Sequence, residues 1–368
     1  LKLSPLNPAK AGYFYGAKLY VKAGKDDMSY PEIFASHYFD RHKIGVNNMG
    51  FDASFGTVKG FSNGIVADVG MQAVINSGFL EATATRLWFA PHYLFNFERG
   101  YVSLGAKVSY LTGTDRTNET APIYTHKSNV VYPDVKIKFF IVPDKLSIYA
   151  DATGGDKIYD YATLLEKNPF LNPFEVVTGL DSSSERVNAK LGFEGDLGRK
   201  FHFDLSGGYI SYLNECCDAI CADRFYPYAY NVYLDYNTYH GDFSFLFKSA
   251  RVGIDGRFTY RMKDIDIETV PCVVLPSDME GDIRFTYNWQ RRAYLGFSVF
   301  GETSRDWVVT EGPSRVNGTL PGYIDLGVHA RYVINPRWTV WAKGGNLLNQ
   351  HVQTYLMRPE KSPYGTLG

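Results

Sequence analysis

The sequence has no run of about 18 apolar residues, so no helix drawn from it is expected to cross a bilayer. Residues 1–8 lack a charged start followed by an apolar core, so no signal peptide is visible there. Cysteine is scarce, four in 368 residues, which excludes a fold built on disulfides. Net charge is nearly absent at −1, leaving no basic footprint for nucleic acid and no acidic tail. There is no Gly-x-Ser-x-Gly elbow, and no linker or low-complexity tract divides the chain. Residues 1–368 are therefore expected to form one domain. What is abundant is aromatic residues, 16%, and glycine, 35. Together these are common in β-barrels and propellers.

The dominant pattern is a period of two. Over residues 322–333, Ile324, Leu326, Val328, Ala330 and Tyr332 alternate with Asp325, Gly327, His329 and Arg331. After Asn335-Pro336-Arg337 it resumes, with Trp338, Val340 and Ala342 against Thr339, Trp341 and Lys343. Successive strand side chains point to opposite faces, so this is a hairpin. Similar segments lie near residues 13–22, 43–55, 64–74, 80–95, 102–110, 134–141 and 146–151. More follow near 187–197, 201–209, 230–247, 254–261, 282–289 and 295–299. A short helical turn is expected at residues 31–37.

Connections alternate in length. Short turns fall at residues 142–145, 198–200, 249–251 and 335–337. Long loops fall at 154–185, 214–227, 264–280 and 302–321. Up-and-down connectivity then places the turns at one end and the loops at the other, as in outer-membrane barrels. The expected fold class is all-β, an antiparallel up-and-down transmembrane β-barrel of about 16 strands. Charges of both signs on the polar faces, and aromatics such as Phe193, Phe201, Tyr260, Trp289 and Tyr332 near strand ends, favour lipid outside and a polar lumen. A soluble β-protein with its apolar face inward is the remaining alternative.

The hairpin from Pro321-Gly-Tyr-Ile-Asp-Leu-Gly-Val to Trp338-Thr-Val-Trp-Ala-Lys-Gly-Gly-Asn346-Leu-Leu-Asn349 resembles the C-terminal barrel hairpin of TonB-dependent receptors. Tyr132-Pro-Asp-Val, Asn168-Pro-Phe-Leu-Asn172 and Ala11-Gly12-Tyr13 are similar to barrels of that kind from Gram-negative outer membranes. The resemblance implies an outer-membrane location and contact with outer-membrane lipids. Full receptors of the family resemble a barrel of about 22 strands filled by an N-terminal plug. Nothing before Tyr13 corresponds to a plug, so none is expected, and energised uptake is not carried over. The last strand, starting near Tyr364, is expected to be cut short.

Lumen-facing candidates are Lys136, Lys190, Glu194, Asp204, Asp255, Arg257, Asp325, His329, Arg331 and Lys343. Their mixed charge suggests neither strong anion nor strong cation selectivity. Cys216, Cys217, Cys221 and Cys272 sit in two long loops. One or two disulfides are the favoured reading, with zinc ligation and free thiols as alternatives. His202, Asp204 and Ser206 share a strand face but are spaced along it, so no catalytic constellation and no enzyme are expected. Asp151, Asp156 and Asp160 lack calcium-loop spacing. No metal and no cofactor are expected. The functional expectation is transport of small solutes across the outer membrane. The alternative is a structural barrel that anchors other outer-membrane proteins or surface lipoproteins through its loops.

Overall fold

The computed structural model describes residues 12–15, 32–40, 43–56, 63–78, 81–115, 124–172, 179–221, 228–266, 270, 272–290, 292–311, 314–356 and 362–368. Among them run twenty strands belonging to one hydrogen-bonded sheet, and one helix. No described helix is long and apolar enough to cross a membrane, which says nothing of strands.

The chain divides into two compact units. The first comprises Leu1–Ile137, Asp151–Ala189 and Ile210–Asn237. It begins with an antiparallel meander of β1 (Gly12–Tyr15), β2 (Glu32–Asp40), β3 (Gly45–Gly56), β4 (Gly64–Ser77), β5 (Ala82–Phe97) and β6 (Gly100–Asp115). Next in the chain come β7 (Tyr124–Val142), β8 (Leu146–Tyr159), helix α1 (Tyr161–Lys167), β9 (Gly179–Leu197), β10 (Phe201–Cys221) and β11 (Tyr228–Lys248); the residues of these five strands are divided between the two units.

The second unit comprises Lys138–Ala150, Lys190–Tyr209 and Thr238–Gly368. Its own strands are β12 (Val252–Asp264), β13 (Cys272–Val274), β14 (Met279–Trp289), β15 (Ala293–Glu302), β16 (Arg305–Glu311), β17 (Ser314–Leu320), β18 (Tyr323–Asn335), β19 (Trp338–Gly345) and β20 (Tyr364–Leu367). β12, β14, β15, β18, β19 and β20 pair antiparallel in that order.

The alternation in the sequence becomes two unlike faces. In the first unit, Leu87, Phe89, Tyr93 and Phe95 of β5, with Leu104 and Val108 of β6, are exposed. In the second, Leu191, Phe193, Leu295, Phe297, Ile324, Val328 and Tyr332 are exposed in the same way. Soluble monomers rarely expose apolar patches beyond a few hundred Å². Aromatics flank the short turns: Phe97 before Glu98-Arg99, Trp289 before Gln290, and Trp338, 68% exposed, after Pro336-Arg337. The turns themselves are chemically specified. Gly198 has φ +72°, a left-handed conformation that glycine adopts without a Cβ penalty. The Asn335 side chain accepts from the Arg337 and Trp338 amides, each at 2.9 Å, and closes the β18–β19 hairpin.

Several sequence expectations need correction. Of the expected helical turn at 31–37, the described residues 32–37 are strand: 32–40 are β2, whose residues 32–39 keep unbroken register with β3, with Ile33 and Phe39 exposed on the sheet's apolar face. The loop expected at 214–227 is strand as far as Cys221. The loop expected at 302–321 contains the β16–β17 hairpin, and β13 pairs with β16. These extra pairings, with short β1 and β20, raise the count to twenty where the pattern suggests about 16. Val273, Val308, Val309, Leu320 and Val352 are buried in this part of the second unit. Ala11 and residues 16–22 of the first expected segment lie outside the described residues.

All four cysteines are free thiols, so the expected disulfides are not formed. Strand geometry explains part of this. Cys216 and Cys217 point to opposite faces of β10, and Cys217 and Cys221 stand four residues apart along it, about 13 Å, beyond disulfide reach. Cys272 is buried in β13 opposite Val309.

Candidate functional site on the polar face

The polar face of the first unit carries the densest chemistry. Register aligns Asp52, Gly70, Trp88 and Ser109 across β3, β4, β5 and β6. Trp88 lies where a Cβ on Gly70 would meet its ring at 2.0 Å, so only glycine leaves the indole its slot. The Arg86 guanidinium lies over that indole at 4.5 Å, and the Lys107 ammonium stands 5.9 Å from its centroid. Gly70→Ala is expected to expel the indole and cost about 1–3 kcal/mol by overpacking. A red-shifted tryptophan emission with a lowered unfolding midpoint checks it.

Asp156 is the hub beneath this row. Its carboxylate accepts from the Ser109 and Tyr132 hydroxyls, and its backbone carbonyl accepts from Arg86. Asp156, Ser109 and Tyr132 are all buried. Four residues on, Asp160 caps α1 by accepting from the Thr163 amide at 2.8 Å. The same side chain accepts from Asn48 of β3 at 2.9 Å, and Asn48 accepts from Gln72 of β4 at 3.1 Å. Tyr161 and Leu164 of α1 are buried, and Tyr161 meets Tyr38 edge-on at 5.8 Å. The segment after β8 is thus fastened to β3 through Asn48 and to β2 through Tyr38, with Gln72 of β4 bracing Asn48.

A second hub is Glu215 on β10. It accepts from the Tyr159 hydroxyl at 2.7 Å and from Lys157 at 3.3 Å, with Lys167 at 3.9 Å. Lys157 also pairs with Glu185 at 2.8 Å and lies over Tyr212 at 5.0 Å. A third group, further along the same sheet face, is Asp68, His92 and Asp134, whose ligand atoms lie within 4.8 Å of one another.

The residues singled out from sequence are spread over both units. Lys136 is exposed on β7 in the first. In the second, Glu194 pairs with Lys138 and accepts from Ser147 at 3.1 Å. Lys190 lies over Tyr149 at 5.2 Å, and the Tyr149 hydroxyl donates to Asp204 at 2.8 Å. Asp255 pairs with Arg284 at 3.1 Å, while Arg257 is exposed opposite Asp282. Asp325 accepts from the Asn346 amide at 2.7 Å. Arg331 lies over Tyr294 at 4.2 Å, and His329 pairs in register with Lys343. His202 contacts Asp196 at 3.1 Å while Asp204 is held by Tyr149, so His202, Asp204 and Ser206 do not converge. Sequence reading missed Arg86, Trp88, His92, Lys107, Tyr132 and Asp156 as a group. The available signal was the i, i+2 spacing of Arg86 and Trp88 inside an otherwise apolar segment.

No protein-family model and no curated protein matches the chain. Solved structures do. FpvA of Pseudomonas aeruginosa bound to heterologous pyoverdines superposes with a TM-score of 0.61 at 12% identity, covering 97% of this chain and 51% of that one. The copper transporter OprC gives 0.59 at 11% identity, covering 89% and 57%. The FrpB iron transporter from Neisseria meningitidis gives 0.59 at 9%, covering 88% and 56%. The chain spans about half the length of the structures it matches. These neighbours are TonB-dependent outer-membrane receptors, and the chain shares their antiparallel β-barrel fold.

Proposed function

We propose that the chain, residues 1–368, is one barrel domain of a Gram-negative outer membrane and takes part in moving small solutes across it. The carrying observation is the inverted amphipathicity: apolar side chains exposed along long strands such as β5, β6, β15 and β18, and paired charges on the polar face. That arrangement is stable where lipid replaces water around the apolar face. Lys136, Lys190, Glu194, Asp204, Asp255, Arg257, Asp325, His329, Arg331 and Lys343 then line a polar lumen. Short turns such as Pro336-Arg337 face the periplasm. Transport as such is also what the names of the copper and iron transporters support.

The purified chain in planar bilayers is expected to give stepwise conductance. Silence at every voltage overturns the transport reading, and extraction without detergent overturns the membrane reading. The fastening of α1 to β3 favours a second reading, a barrel that anchors surface proteins rather than conducting. Capture of native outer-membrane partners on a silent barrel is its expected result.

A further inference from the structure

We propose that Asp68, His92 and Asp134 form a binding site for one divalent transition-metal ion of the Zn2+ type. The site was not legible in the sequence, which led to an expectation of no metal. Asp68 stands on β4, His92 on β5 and Asp134 on β7, so three strands deliver two carboxylates and an imidazole to one point. The His92 Nδ1 lies 3.9 Å from an Asp68 oxygen and 3.8 Å from an Asp134 oxygen. Both separations are too long for hydrogen bonds. Nδ1 is shielded from solvent and has no hydrogen-bond partner among the described residues. A buried polar atom left in that state costs about 1–3 kcal/mol. An ion bound by all three groups removes the cost and offsets the paired negative charges.

The dimensions suit such an ion. Ligand atoms around a four-coordinate ion with bonds of about 2.1 Å stand about 3.4 Å apart, so the two His92 pairs close by about 0.5 Å each and the two carboxylates by at most about 1.4 Å. Two carboxylate oxygens and one imidazole nitrogen are a donor set for zinc and its first-row neighbours, with water free to complete the shell. Supporting groups are present. The Ser54 hydroxyl donates to Asp68 Oδ1 and so turns Oδ2 toward His92. Gly105 faces His92 across β5 and β6, and a Cβ there would fall 2.5 Å from the His92 Cβ. Burial ranks the ligands: the side chains of His92 and Asp134 are 16% and 17% exposed, that of Asp68 41%. Asp68 is the side from which an ion enters.

The inference does not rest on the transport reading, because it is tested by binding alone. Detergent-purified full chain, stripped with chelator, is titrated with Zn2+ by calorimetry and with Co2+ by visible absorption. One ion per chain is expected, with a Co2+ ligand-field band. Asp134→Asn, nearly isosteric, is expected to weaken Zn2+ binding by about 10–100-fold or more, and His92→Ala to abolish the Co2+ band. Ser54→Ala is expected to weaken binding by about 10-fold, with Ser54→Thr restoring it. Each variant is first shown to keep the strand content of the parent by circular dichroism. A parent chain that binds neither ion overturns the proposal. So does unchanged affinity in folded Asp134→Asn.

Discussion

Replacing Leu104 by arginine is expected to destabilise the protein by about 2–4 kcal/mol, although the side chain is 55% exposed. The physical contrast makes the result decisive. In a soluble protein an exposed Leu→Arg change on a strand falls within about ±0.5 kcal/mol, because the charge remains in water. On a strand facing lipid, the guanidinium must either enter hydrocarbon or reach for the interface. Leu104 stands four residues beyond Gly100, where β6 leaves its short turn, which puts it about 10 Å up a tilted strand and near the middle of an apolar band about 25 Å tall. Lys136→Leu on the polar face of β7 is the control, expected within about 0.5 kcal/mol. Denaturant unfolding in lipid vesicles, followed by tryptophan emission, measures both. A neutral Leu104→Arg would remove the main physical support for a membrane barrel.

The face pattern was legible because it is local. Each strand states its own period, and Val102, Leu104, Ala106 and Val108 read the same way with or without neighbours. Turns were legible for the same reason: Asn335 makes its two amide contacts within three residues. The strand at 32–40 was not, because its helical alternative loses only when β3 supplies a full register partner. The cysteine strand was missed because residues 214–221 mix polar and apolar side chains at both parities, Asn214, Asp218 and Ile220 at one and Glu215 and Ala219 at the other, leaving no clean period to read. The sites were least legible. Asp68, His92 and Asp134 have no motif spacing, and only the pairing of separate strands brings them together. The Asp156 hub was similarly hidden, because its partners Arg86, Ser109 and Tyr132 come from other strands and the spacing of Asp151, Asp156 and Asp160 carries no signal of them.

Asp156→Ala is expected to cost about 3–5 kcal/mol, the largest loss in the first unit. The Ser109 and Tyr132 hydroxyls lose their acceptor, and both residues are buried. The Arg86 Nε is already without a hydrogen-bond partner, so removing a nearby carboxylate leaves a poorly compensated buried charge. Asp156→Asn keeps an acceptor and is expected to lose about half as much, which separates hydrogen bonding from charge. A buried ionic network is weak evidence for stability as such, since apolar replacements of the whole set are often neutral. What it fixes is position. Asp156 and Asp160 precede α1 and tie its entry to strands β3, β5, β6 and β7. Loss of Asp156 should therefore quicken hydrogen exchange in α1 more than in β4. If α1 restricts passage, Asp156→Ala should also raise single-channel conductance, whereas in an anchoring barrel α1 loosens and no current appears. Exchange unchanged in α1, with a cost under about 1 kcal/mol, would show that the hub holds nothing in place.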